Sequence, residues 1–330
     1  MRHFARGATR AAVLLAGLAG AGDPSVAQAQ TFPARPVRVI VPFGPGGSSD
    51  IVARLVSQEA GGRFGQTLVV ENRPGGSTQI GTEVVANAEP DGYTILLGTS
   101  SLVLAAVLDP KTPIQAQRDF TGLVNVASAP FIMVVNAELP IRNLGELVAY
   151  AKANPQQATY GTSGAGSPAN IAGELLNLRA GVKLVHALYK SELNGVTDVM
   201  GKHLLMTPAS YGALAGNLAS GKLRPVAVTS RGRMKVLGNV PTVGESGYPG
   251  FYVEFWNGLF APKKTPQAIV DRLSAVLVEA VRAPQVTARL EELGYHVEAT
   301  PSAVFDKGLE AEARRWADLI RQTGVSVARQ

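Results

Sequence analysis

The residues best suited to chemistry lie within 37–50, VRVIVPFGPGGSSD. A β-branched run leads into Phe43, Gly44, Pro45, Gly46 and Gly47, and Ser48, Ser49 and Asp50 open a helical pattern. Such a turn leaves backbone N–H groups without intrahelical partners at a helix N-terminus, where the dipole also favours negative charge. Gly46 and Gly47 permit positive φ and a close backbone approach to a ligand. Ser48 and Ser49 add hydroxyl donors. Asp50 does not suit an anion, so it is expected to hydrogen-bond loop amides or cap the helix.

Three other segments repeat this chemistry. Residues 71–78, ENRPGGST, lead into a helix over 79–88. Gly98 is followed by Thr99, Ser100 and Ser101, and residues 161–167, GTSGAGS, present Ser163, Gly164 and Ser167 ahead of Pro168 and Asn170. Loops of this kind after strands in both halves of a chain converge on a cleft between lobes, where α/β proteins hold ligands. Tyr189 and Lys190 follow another strand candidate, where Lys190 either pairs with a ligand carboxylate or sits in solvent. Trp256 either lines the cleft or packs a hinge.

Two catalytic patterns share these residues. Gly44-x-Gly46 after a strand, with Glu71 ending the next one, resembles a dinucleotide fingerprint, but Ser49 stands at the third glycine position. Residues 161–165, GTSGA, resemble a hydrolase nucleophile elbow without its final glycine, and that chemistry needs a positioned histidine. Beyond residue 30 only His186, His203 and His296 remain, and the first two lie in or beside apolar strands. No HxxxH, cysteine pair or dense carboxylate cluster points to a metal. The sequence is read as a binding protein rather than an enzyme, with no cofactor.

The elements that must position these loops alternate. Strands are expected over 37–42, 67–71, 94–98, 131–136, 158–162, 183–187, 203–206 and 225–229, with amphipathic helices between them, which argues for parallel α/β architecture. Asn143 with Glu146 reads as a capping box, and Ser167-Pro168, Thr265-Pro266 and Thr300-Pro301 read as hydroxyl caps followed by proline. Ile269, Leu273, Leu277 and Val281 form one core stripe, and Phe305, Leu309, Trp316 and Ile320 another. No internal repeat stands out. The pattern changes near 127–136 and 251–260, so two crossings divide the chain into lobe 1 (30–130 and 254–330) and lobe 2 (131–253).

Residues 1–29 read as a secretory signal peptide: Arg2, Arg6 and Arg10 precede an apolar run over 11–21, and Ala27-Gln28-Ala29 offers a cleavage site at Ala29. The run falls short of the roughly 20 residues a membrane span needs. With no cysteine among 330 residues, the fold stands on its core, and 46% hydrophobic content supports a large one. Cleavage would remove three arginines and Asp23, leaving a net charge of +4 without a basic cluster, which argues against nucleic acid.

The strings RPVRVIVPFGPGGSSDIVARL, GQTLVVENRPGG, IGTEVVANAEPDGYTILLG, YGTSGAGSPANIAGELL and VPTVGESGYPGF resemble the Bug-type periplasmic solute receptors of tripartite tricarboxylate transporters, over essentially the whole mature chain. The resemblance implies a type II periplasmic binding fold: two α/β lobes joined by two hinge crossings. It also implies a small organic carboxylate held by loop amides, hydroxyls and bridging waters. By position the ligand-binding role falls on Phe43 to Ser49, Thr99 to Ser101 and Ser163 to Asn170. The expected partners are that organic acid and the transporter's membrane subunits, and the expected state is a periplasmic monomer. A sensor that passes its closed form to a signalling partner would use the same clamp. Several positions depart from the family pattern: Ser77 and Thr78, Asn170 for a histidine, Ser191 for a glycine, and Leu204 and Pro208 for two acids. The resemblance therefore does not carry the ligand's identity.

Overall fold

The computed structural model describes residues 32–324, so the leader expected over 1–29 and its end at Ala29 lie outside the described residues. The chain begins with β1 (Val37–Val41), α1 (Ser48–Phe64), β2 (Leu68–Asn72), α2 (Gln79–Ala86), β3 (Thr94–Thr99), α3 (Ser100–Leu108), α4 (Ala116–Asp119) and β4 (Phe120–Pro130). It continues with β5 (Ile132–Asn136), α5 (Leu144–Ala153), β6 (Thr159–Thr162), α6 (Pro168–Ala180), β7 (Val185–Leu188), α7 (Glu192–Met200), β8 (Met206–Ala209), α8 (Tyr211–Ala219) and β9 (Leu223–Val228). It closes with β10 (Glu254–Pro262), α9 (Gln267–Arg282), α10 (Pro284–Glu292), β11 (His296–Pro301) and α11 (Ser302–Thr323).

Two sheets result, one ordered β11-β4-β10-β3-β1-β2 and the other β7-β6-β8-β5-β9. Strand β3 is buried at every residue and β1 at all but one, as strands covered by helices on both faces must be. Both sheets are mixed rather than purely parallel as the alternation suggested. Strand β1 runs parallel to β2 and β3, whereas β10 is antiparallel to β3 and β4. The reason is the crossings: β4 leaves the first sheet, and β10 re-enters it beside β4 from the opposite direction. Strand β5 is likewise antiparallel to β8 and β9.

Thr229, fully buried, ties the two crossings together. Its hydroxyl accepts from Phe131 N–H (2.9 Å) and donates to Val253 C=O (2.6 Å), and its own N–H donates to Phe131 C=O (2.9 Å). The rings of Phe131 and Phe255 pack alongside at 4.9 Å. Trp256 packs with Phe260 and Phe305 inside the first lobe.

The expected stripes face the core: Leu273, Leu277 and Val281 on α9, and Phe305, Leu309 and Trp316 on α11, are buried, with Ile269 and Ile320 partly so. Asn143 caps α5 by accepting from Glu146 N–H (2.9 Å), while the Glu146 carboxylate reaches back to Arg142 N–H (2.7 Å). Ser167 caps α6, accepting from Asn170 N–H (3.2 Å). The other two hydroxyl caps do not form. Pro266 and Pro301 themselves occupy the N-cap with extended ψ of 137° and 162°, so each helix starts one residue later and Thr265 and Thr300 fall outside it.

Strand β8 also begins three residues later than expected. His203 and Leu204 N–H both donate to Asp198 C=O and are consumed in the turn after α7. Leu204 instead fills the core of the second lobe. Pro208, buried in β8, brings no backbone donor. The β6–β8 ladder pairs Tyr160 with Met206 and ends there, while Thr207 Oγ1 donates to Gly161 C=O (2.8 Å).

Candidate ligand cleft

The glycine-rich turn after β1 is held by Asp50. Its Oδ2 accepts from Gly46 N–H (2.9 Å) and Arg54 Nε (3.0 Å), and its Oδ1 accepts from Asn72 Nδ2 (2.8 Å). Asn72 also donates to Phe43 C=O (3.0 Å), so both shoulders of the turn are pinned. Burial alone would raise the Asp50 carboxyl, but the bonds from Arg54, Gly46 and Asn72 outweigh it and hold the group below the usual carboxylate range. Gly46 sits at φ +77°, a left-handed conformation that a side chain would strain. The anchor is the loop-amide role expected for Asp50.

The second lobe repeats the device. Asn170 Oδ1 accepts from Gly166 N–H (2.9 Å), four residues back as in the first turn, and Gly166 sits at φ +71°. Gly44-x-Gly46-x-x-x-Asp50 and Gly164-x-Gly166-x-x-x-Asn170 are thus one short pattern used twice, although the sequence showed no repeat. Asn170 Nδ2 further donates to Tyr160 Oη (2.6 Å), which donates to Glu174 Oε1 (2.6 Å). Asn170 therefore holds its loop in place; Ser163 beside it is exposed.

Besides the packing of α6 against α11 and α3, the lobes meet at two helix starts. Neither α1, whose N-cap is Gly47, nor α8, whose N-cap is Ser210, is capped by a side chain. Ser48 Oγ and Ser210 Oγ lie 3.3 Å apart, so the two dipole-positive helix starts meet there. Tyr295 lies near Ser48, and its hydroxyl accepts from Asn257 Nδ2 (3.3 Å). Burial pushes the Tyr295 phenol up, which keeps it neutral. Asn257 pairs with Thr99 in the β10–β3 register, and the Thr99 hydroxyl caps α3 by accepting from Ser101 N–H (3.3 Å). Among the described residues, Ser100 Oγ and Asn257 Oδ1 are buried without a partner.

Ser48 thus meets Ser210, and Tyr295 lies beside them with Asn257 on its hydroxyl. Asn257 stands opposite Thr99 in the strand register, which sets residues 99–101 at the end of the neighbouring strand. The described contacts keep Ser163, Gly164, Ser167 and Asn170 among themselves and their own lobe. Tyr189 packs over Gly161 and donates to Asp198 Oδ2 (2.6 Å), beside a surface hollow of about 320 Å³. The sequence reading passed over Ser210, Asn257, Tyr295 and Glu192. Ser210 lay beyond a strand ended too early, and Asn257 is a lone amide in an apolar run. Tyr295 and Glu192 carry no local signal.

The two catalytic patterns meet other partners. Glu71, the acid a dinucleotide ribose would need, pairs with Arg38 (2.8 Å) and Arg73 (3.3 Å). His186 Nε2 lies 2.7 Å from Thr162 Oγ1 rather than against Ser163, and burial pushes its pKa down.

A family model described as "Tripartite tricarboxylate transporter family receptor" matches residues 52–325. The chain is 35% identical over 314 residues to Protein BugT of Bordetella pertussis, covering 94% of this chain and 96% of that protein. Among solved structures it resembles R. palustris Rpa4515 with adipate (TM-score 0.85, 29% identity, 89% of this chain and 99% of that one). It also resembles MatC (Rpa3494) from Rhodopseudomonas palustris with bound malate (TM-score 0.81, 30% identity, 88% and 100%). The two-lobe architecture with its paired crossings is shared with these solved structures, and the chain belongs to the tripartite tricarboxylate transporter receptor family.

Proposed function

We propose that this chain is a periplasmic receptor that captures a small organic carboxylate between its lobes and delivers it to the membrane subunits of a tripartite tricarboxylate-type transporter. The meeting of the uncapped α1 and α8 N-termini, with Ser48 Oγ 3.3 Å from Ser210 Oγ, carries this reading. The start of α1, uncapped by any side chain, favours negative charge, and a ligand carboxylate meets it. The adipate and malate held by structural neighbours are ligands of that kind.

Lobe 1 comprises residues 30–130 and 254–330, lobe 2 residues 131–253, and the hinge lies at the Thr229 clasp. The amides and hydroxyls of residues 43–49 and 99–101 face residues 163–170 and the start of α8 across the cleft. A helix-dipole contact supplies only about 0.3–1 kcal/mol, or up to ~2 when partly buried. Micromolar affinity needs about 8 kcal/mol, so several loops must act together and closure must exclude water. The exported chain works as a monomer without catalysis, and among the described residues no helix is long and apolar enough to cross a membrane.

Native mass spectrometry of the protein purified from periplasm, paired with a thermal-shift screen of organic acids, tests the reading. A co-purifying carboxylate that raises the melting temperature is expected. A screen in which NAD or an ester stabilises the chain and no acid does would overturn it.

A further inference from the structure

Glu192 opens α7 and turns its carboxyl toward the junction of the lobes. Ser210 N–H donates to Glu192 Oε1 (2.5 Å), and Ser210 Oγ stands 3.0 Å from Glu192 Oε2. Tyr295, of the other lobe, faces the same group. Among the described residues no cation stands beside it. Of the elements packed closely on α7, β5 and β8 carry no titratable side chain, β6 carries Tyr160 and α8 carries Tyr211. On α7 itself Asp198 is bonded to Tyr189, and Lys190, just before the helix, is exposed. Enclosing a carboxylate without a cation is costly, so the neutral acid is the form that fits. Burial accordingly pushes the Glu192 carboxyl up, against the two Ser210 bonds.

The proton also decides where the Ser210 hydroxyl points. A serine hydroxyl has one proton to give, and an ionised Glu192, which only accepts, draws it to Oε2. A protonated Glu192 donates from Oε2 to Ser210 Oγ instead, leaving the Ser210 proton for Ser48 Oγ, 3.3 Å away in the other lobe. When the lobes part, Ser48 and Tyr295 withdraw and water reaches the carboxyl, which then ionises like an ordinary glutamate, near about pH 4.3. Resting on the carboxylate-receptor reading, we infer that capture of the organic acid is coupled to one proton: the lobes close on Glu192 in its neutral form, taking the proton from solvent, and opening returns it. The neutral form also spares a ligand carboxylate at the start of α1 from a like charge. The sign follows from linkage. The closed form holds the Glu192 proton more tightly than the open form, so affinity falls as pH rises between the two values, by up to about tenfold per pH unit.

Titration calorimetry of the mature protein from about pH 5 to 8 tests it, with adipate and malate, the acids held by its structural neighbours, as probes. The comparison is Glu192→Gln, which keeps the shape of the side chain and is neutral throughout. The native affinity, divided by that of the variant at each pH, is expected to fall with rising pH by up to about tenfold per unit. Binding enthalpies in phosphate and in Tris count the protons: uptake approaching about one per bound acid is expected in the native protein and is lost in Glu192→Gln. Parallel pH profiles in the two proteins overturn the inference, and so does native binding without proton uptake. If the variant does not fold, the native proton count decides. If neither probe binds, the acid returned by the thermal-shift screen is titrated in their place. Failure of every acid to bind removes the receptor reading, whereas a bound acid with parallel profiles removes the proton coupling alone.

Discussion

Replacing Asp50 by asparagine tests how the glycine-rich turn is held. Asp50 is 3% exposed and accepts from Gly46 N–H, Arg54 Nε and Asn72 Nδ2. An asparagine keeps one oxygen for Gly46, as Asn170 does for Gly166, but its new NH2 group then faces the NH2 of Asn72. Asn72 cannot turn its amide without losing its bonds to Phe43 C=O (3.0 Å) and Arg54 Nη2 (2.9 Å). An unsatisfied buried donor costs about 1–3 kcal/mol. The Arg54 pair adds up to ~1 kcal/mol, a small share because the Arg54 side chain is 52% exposed. The sum is roughly 1–4 kcal/mol, a melting-point fall of about 2–8 °C at ~2 °C per kcal/mol for a protein this large. The sign with pH follows from the carboxyl being held low in the fold. Its contribution is complete above the unfolded value of about 3.9 and is lost as pH falls through the folded value. Calorimetric melts should therefore show a full gap between native protein and Asp50→Asn at neutral pH, narrowing as pH drops below about 4. Equal melting points at neutral pH, or a gap that stays constant into acid, would refute the reasoning.

Gly47→Pro should fold, because Gly47 already has φ −76°, yet proline removes an N–H donor at the start of α1 and pushes Gly46 away from φ +77°. Calorimetric affinity for the co-purified acid should fall at least about tenfold, roughly 1.4 kcal/mol; undiminished affinity would place the ligand elsewhere. Thr229→Val leaves Phe131 N–H without its hydroxyl acceptor, so denaturant unfolding should show a loss of about 1–3 kcal/mol. An unchanged midpoint would mean that Thr229 does not clasp the crossings. A saturating ligand should shrink the radius of gyration in small-angle scattering as the lobes close, and constant dimensions would reject the clamp.

Strand β11 escaped the sequence reading because its pattern, HVEATP, is polar and half exposed; only pairing with β4 makes it a strand. Strands β4 and β10 showed as extended segments but not as the antiparallel pair that carries the chain out of the first lobe and back. The strand 203–206 was placed early because hydrophobic Leu204 and Leu205 look like strand residues, whereas bonds to Asp198 C=O hold 203 and 204 in a turn. By contrast the caps at Asn143 and Ser167 and the role of Asp50 were legible, since each partner lies three or four residues away.

Local residues alone made legible the glycine turns, the starts of α5 and α6 and the alternation of strand and helix. Left-handed φ, side-chain caps and amphipathic periodicity are set by residues within one or two turns of one another. Only the tertiary structure decided that Ser48, Glu192, Ser210, Asn257 and Tyr295 form a single junction. These residues come from five separate segments, and their meeting depends on sheet order and on two crossings that bring the starts of α1 and α8 face to face.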